Sequence, residues 1–126
     1  MNPAKPPVAV LGASANPERY SNKAVRLLVE HGYPVYPVHL SLDEVEGIAV
    51  THSIGELPQD GSVDTVTVYV SPPVSSTLAK QLVALKPRRV IFNPGAENTG
   101  LEAELGTAGI EVENACTLVL VNTGQY

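Results

Sequence analysis

Two rhythms of apolar residues alternate along this chain. Val8-Ala9-Val10-Leu11 is an unbroken apolar run, the pattern of a strand covered on both faces. Val35-Tyr36-Pro37-Val38 and Arg89-Val90-Ile91-Phe92 read as further strands, and residues 64–70 alternate threonine with valine before a β-branched and aromatic finish. Pro37 removes a ladder donor, which suggests that its strand leaves the sheet there. Ile110-Glu111-Val112 can add a short fifth strand. Helical spacing fills the gaps. From about Asn22 a first helix places Ala24, Leu27, Leu28 and His31 on one face, with Ser21 as its cap and Tyr20 and Val25 as a hydrophobic staple; Gly32 ends it and Pro34 prevents its resumption. A second helix over residues 74–85 carries Leu78, Leu82 and Leu85 at positions i, i+4 and i+7, after Ser71-Pro72-Pro73 has stopped the preceding strand and before Pro87. A third opens on the capping-box spacing of Thr99-Gly100-Leu101-Glu102, buries Leu101, Leu105 and Ala108, and ends at Gly109. Between His39 and Ser62 the pattern weakens, and only Ser53-Ile54-Gly55-Glu56 has the spacing of a short helix. The apolar run 118–121 fits strand or helix.

Strand and helix therefore alternate, with one irregular crossover between the second and third strands. This order predicts an α/β fold: a single Rossmann-like domain with an open parallel sheet of about five strands and helices on both faces. Such sheets bind ligands beyond the carboxyl ends of their strands, where the strand order reverses. Four strand ends carry turn chemistry, at residues 12–14, 37–38, 71–73 and 93–96. All should open on one edge of the sheet.

Composition narrows the ligand. The chain has 126 residues, 44% hydrophobic and 17% charged, which suits one domain over residues 1–126 with residues 1–6 as an extended lead-in. A formal charge of -5 disfavours a nucleic-acid partner, so any anion must be held locally by aimed groups. No apolar run approaches the roughly 18 to 20 residues of a membrane span. The lone Cys116 and the lack of an apolar signal segment suggest a cytoplasmic setting.

The loop after the first strand is where an anion would sit. Gly12, Ala13 and Ser14 are small enough for close backbone approach, Ala15 continues the loop, Asn16, Ser21 and Asn22 offer hydrogen bonds, and Arg19 and Lys23 are cations. The same residues also suit a tight strand-to-helix turn with a good cap. Common nucleotide fingerprints fail: a dinucleotide motif from Gly12 needs glycine where Ser14 and Pro17 stand, and a P-loop needs Gly-Lys-Ser/Thr where Pro17, Glu18 and Arg19 stand. Nor does the second strand end in the carboxylate that reads a ribose hydroxyl, since His39 and Leu40 follow Val38.

Four segments together resemble the small stand-alone CoA-binding domain family: Leu11-Gly12-Ala13-Ser14-Ala15-Asn16-Pro17-Glu18-Arg19-Tyr20-Ser21-Asn22-Lys23, Gly32-Tyr33-Pro34-Val35-Tyr36-Pro37-Val38, Val70-Ser71-Pro72-Pro73 and Asn93-Pro94-Gly95-Ala96-Glu97. That family is similar to the CoA-binding domain of the succinyl-CoA synthetase alpha subunit. The resemblance implies coenzyme A or an acyl-CoA as ligand, with its phosphates against residues 12–16 and the helix start at Ser21 and Asn22. It implies further that Pro37 and Val38 border the adenosine, that Val70, Ser71 and Pro72 form the opposite wall, and that Asn93, Pro94, Gly95 and Ala96 approach the pantetheine. The chain departs from the family where His39-Leu40 replaces an Asn-Pro pair, and where Asn93 replaces a frequent Gln.

No reaction follows from these residues. The synthetase's phosphohistidine belongs to a second domain, and His31, His39 and His52 do not take its role. Glu97 and Cys116 are conceivable reactive groups, but Glu97 equally favours the start of the third helix and a single cysteine is most often inert packing. No metal-ligand cluster is evident. The expectation is a binding protein more than an enzyme, with an NAD(P)-binding or redox-sensing domain, or a ligand-switched interaction module, as alternatives. Residues 118–121 could pack on a second copy, which leaves a homo-oligomer open.

Overall fold

The computed structural model describes residues 5–126, so most of the lead-in expected over residues 1–6 lies outside the described residues. The chain runs β1 (Val8–Leu11), α1 (Tyr20–Glu30), β2 (Val35–Val38), β3 (Glu44–Val45), β4 (Ile48–Ala49), a 3₁₀ turn (Ile54–Glu56), β5 (Thr65–Val68), α2 (Pro72–Ser75), a second 3₁₀ turn (Ser76–Leu78), α3 (Ala79–Leu85), β6 (Arg89–Phe92), α4 (Thr99–Thr107), β7 (Glu111–Asn114) and α5 (Thr117–Asn122). Five strands form one parallel sheet in the order β2-β1-β5-β6-β7. The chain moves outward from β1 to β2 on one side and from β5 to β7 on the other. The order therefore reverses between β1 and β5, and their carboxyl ends flank the crevice.

Strand pleating divides the core in two. Ala9, Leu11, Val66, Val68, Val90 and Phe92 face one side, where Leu82 and Leu85 of α3 and Leu101 and Leu105 of α4 cover them. Val8 and Val10 face the other side, against Val25 and Leu28 of α1 and Val121 of α5. The run 118–121 is thus helical, and its Leu120 and Val121 are buried within this chain. No helix among the described residues is long and apolar enough to cross a membrane.

Several local expectations need correction. Helix α1 begins at Tyr20 after Arg19 and has no side-chain cap: Ser21 lies inside the first turn, and Tyr20 is 69% exposed, so it forms no staple on the buried Val25. Of the two places open to His31, the packing side of α1 or its dipole end, it takes the end: it is exposed there, with its ring nitrogen 2.9 Å from the Leu27 carbonyl. Pro37 does not end β2. It pairs opposite Val10, and its carbonyl accepts from the Thr51 N–H on the outer side, so the missing donor falls where no sheet strand needs it. The second helix starts at Pro72 itself, where a missing N–H costs nothing, and 3₁₀ geometry interrupts it over Ser76–Leu78. Lys86 ends it in the left-handed region at φ 56, since Pro87 disfavours helix in the residue before it. The cap of α4 is Asn98, one residue earlier than Thr99: its side chain accepts from Leu101 N–H, and Glu102 accepts from Asn98 N–H. Ala108 is exposed and Ile110 fills the core instead.

The irregular crossover contains a hairpin that spacing did not reveal. Glu46 and Gly47 both have positive φ, 50° and 76°, the combination that a two-residue hairpin turn requires. The turn folds β4 back so that Thr51 bridges to Val38. The short helix at residues 53–56 is a 3₁₀ turn in which Glu56 accepts from His52 N–H rather than completing a box with Ser53.

Candidate functional site

The carboxyl ends of β1, β2 and β5 open into a cleft of about 990 Å3. Gly12, Ala13, Ser14, Ala15, Asn16, Arg19 and Ser21 line one side of it, with Val38, Val70 and Pro94 from the neighbouring strand ends. Asn22, Pro37, Ser71, Pro72, Asn93, Gly95 and Ala96, nominated with them, do not line it. Pro37 is buried within β2, Ser71 is the exposed cap of α2 and Pro72 its half-buried first residue, and Gly95 and Ala96 lie in the turn closed by Ala96 N–H on the Asn93 carbonyl.

Asn22 and Asn93 are spent on structure. Asn22 is fully buried; its amide donates to the Ser14 carbonyl at 2.8 Å and accepts from Arg26 Nε at 2.9 Å, which braces the loop against α1. Asn93 donates to Thr67 Oγ1 at 2.7 Å and to the Val68 carbonyl at 2.9 Å, and accepts from Thr117 N–H at 2.9 Å. One buried amide therefore ties β5, β6 and α5 together beneath the cleft. Thr67 and Thr117 are bonded to each other at 2.7 Å, and the adjacent Tyr69 hydroxyl is buried with no hydrogen-bond partner. Burial pushes the Tyr69 phenol up to about 12; the nearby threonine hydroxyls offset this only in part, being engaged with one another.

The loop after β1 is held by its backbone. Gly12 has φ +87, and a Cβ there would lie 2.8 Å from Val70 Cγ1, so only glycine lets β1 and β5 approach at the crevice. Gly12 and Ala13 N–H both donate to the Val38 carbonyl, Ser14 Oγ accepts from Asn16 N–H, and Asn16 Oδ1 accepts from Glu18 N–H. Among the described residues, the N–H groups of Ser14, Ala15, Tyr20, Ser21 and Asn22 are left without a protein acceptor. They sit at the loop and the first turn of α1, the positive end of the helix dipole.

The remaining wall comes from residues that local spacing did not nominate. His39, Leu40, Leu42, His52, Ser53 and Ile54 enter from the crossover, and Tyr69, Val74, Thr77, Leu78 and Gln81 from β5 to α3; Tyr20 stands at the rim. The Glu46-Gly47 turn was the available signal for the first group, since the hairpin brings His52 and Ser53 back to β2. None of the lining residues is Asp or Glu, although the chain carries 13 of them. The groups that can carry positive charge there are Arg19, His39 and His52. Glu97 lies off the cleft and accepts from Gly95 N–H at 2.8 Å, and Cys116, half-buried ahead of α5, also lies off it. No group of three or more potential metal ligands occurs among the described residues.

Comparison with known proteins bears on the fold and the family. The chain is 37% identical to an uncharacterized protein of known crystal structure, with a TM-score of 0.90 over 98% of this chain and 100% of that one. A hypothetical protein from Pyrococcus horikoshii OT3 is 29% identical, with a TM-score of 0.85 over 92% of this chain and 81% of that one. In sequence, 64 residues are 36% identical to the alpha subunit of the ADP-forming acetate–CoA ligase II of Pyrococcus furiosus, covering 50% of this chain and 14% of the subunit. Another 34% identity over 62 residues relates it to the uncharacterized protein YneT of Bacillus subtilis, covering 49% of this chain and 44% of that protein. The matched segments thus span less than half of either relative. The model of the CoA binding domain family matches residues 7–122, and with the five-stranded parallel sheet and the cleft at its switch point the chain belongs to that family.

Proposed function

We propose that the cleft seats coenzyme A or an acyl-CoA, as a binding function without a reaction of its own. The observation that carries the reading is the pairing of unpartnered backbone N–H groups at residues 14–15 and 20–21 with a wall free of carboxylates in an acidic protein. Such a site attracts a polyanion locally while the overall charge repels it. The diphosphate lies against residues 12–16 and the start of α1, with Ser21 within the first turn and Arg19 at its edge. Asn22, buried beneath the loop, holds it through its side chain. The adenosine lies towards Val38 at the end of β2, Val70 forms the opposite wall with Ser71 and Pro72 behind it, and the pantetheine leaves past Pro94, whose turn Asn93, Gly95 and Ala96 hold from outside the cleft. A lone thiol off the cleft and no carboxylate within it fit a carrier or sensor in the cytoplasm better than a thioester-cleaving enzyme.

Calorimetric titration of the full chain with CoA, acetyl-CoA, NADH and NADPH tests this. Saturable heat from the CoA species, with thioester intact after incubation, is the expected result. Binding of NADPH with no heat from any CoA species would overturn it.

A further inference from the structure

His39 occupies a telling position. In nucleotide-binding sheets of this type, the residue just past the carboxyl end of the second strand reads the adenosine ribose; where the ribose is unmodified it is a carboxylate, which accepts from a hydroxyl and repels a phosphate. Here that residue is an imidazole, half-buried and lining the cleft. Its Nδ1 accepts from Ser41 N–H at 3.0 Å and Leu42 N–H at 3.1 Å. Both bonds fix the ring and, in the neutral form, place the proton on Nε2. The ring therefore offers the cleft a hydrogen-bond donor whose orientation is set by the hairpin that follows.

The surroundings favour an anion at that donor. His52 lines the same end, its Nε2 3.0 Å from the Leu42 carbonyl. Neither Asp43, the acid nearest to His39 along the chain, nor Glu56, which accepts from His52 N–H, lines the cleft. We propose that His39 is a specificity-determining residue that donates from Nε2 to a phosphate monoester on the ligand's ribose, the 3′-phosphate if the ligand is CoA. This rests on the CoA reading above. A 2′-phosphate, as in NADPH, presents the same chemistry, so the test must separate the two sources.

Two substitutions divide the roles of the ring. His39→Asn places Oδ1 where Nδ1 stood, which keeps the acceptor for residues 41–42 and deletes the Nε2 donor. His39→Gln keeps an amide N–H near the position of Nε2 and gives up the loop acceptor. The experiment is calorimetric titration of wild type and both variants with CoA, 3′-dephospho-CoA, NADPH and NADH, reading the ratio of affinities within each pair. Wild type is expected to prefer CoA over dephospho-CoA by at least about tenfold, the scale of a hydrogen bond to a charged group. In His39→Asn the ratio should fall towards one, while His39→Gln retains most of it. Equal wild-type affinities for CoA and dephospho-CoA would overturn the proposal and leave the CoA reading standing. A preference that persists in His39→Asn would move phosphate recognition to another residue and equally overturn it. Preference for NADPH over NADH with no heat from either CoA species would overturn the CoA reading and the 3′-phosphate assignment together.

Discussion

Single residues do two kinds of work at this cleft, and the sequence distinguishes them unevenly. Gly12 was legible because an apolar run that stops at glycine marks a strand end under backbone constraint, and the structure supplies the cause in its positive φ and the nearby Val70 side chain. Gly12→Ala should therefore cost about 1 to 3 kcal/mol in strain and displacement of Val70, read as a lower urea midpoint, and should weaken ligand binding by narrowing the crevice. Asn22 and Asn93 were harder to place. Both are amides beside a candidate site, which suggests ligand contacts, yet burial has turned both amides into braces. The donors and acceptors that an amide will satisfy depend on which strands and helices meet around it, and no local spacing records that. His39 was visible only as a departure from a pattern, because the tautomer that gives it a use is set by backbone groups two and three residues further on.

At the level of elements, period and punctuation carried most of the information. Every strand of the main sheet, and helices α1, α3 and α4, lie close to their expected places, because apolar runs, prolines and glycines act within a few residues of where they stand, whereas the run at 118–121, open between strand and helix, becomes α5. The misses concern caps and short pieces. The cap of α4 falls on Asn98 because its amide oxygen accepts from Leu101 N–H, and since the same amide donates to the Pro72 carbonyl and Ser75 Oγ of α2, Asn98→Ala should cost about 1 to 2 kcal/mol of stability, measured by thermal unfolding. Helix α1 shows the opposite case. It has no side-chain cap, so its first N–H groups remain available, and a helix left open in this way gains stability when an anion fills the place of the cap. The hairpin of β3 and β4 escaped notice because each strand has two residues, too few for any period.

For the whole molecule, the alternation of elements was enough to anticipate a parallel sheet with both faces covered, but the order β2-β1-β5-β6-β7 and the switch point between β1 and β5 emerge only once the chain is packed. Among the described residues, two buried phenol hydroxyls lack partners, Tyr69 above the β5 end and Tyr126 against Arg89, and burial raises both. A raised pKa means that the unfolded chain loses its proton first. The contribution is complete below the ordinary tyrosine value of 10.0 and is lost as pH rises towards about 12. Tyr69 alone should account for about 2 to 3 kcal/mol of that loss, and Tyr69→Phe should flatten the urea-midpoint profile across the same range. On the outer strand β2, the position with no N–H to give points away from β1, and the outer strand β7 carries Glu111 and Glu113. A foreign strand seeking to extend the ladder would meet a missing donor at one margin and the Arg88–Glu111 and Arg89–Glu113 ion pairs at the other, so crowding many copies together should not by itself seed fibrils.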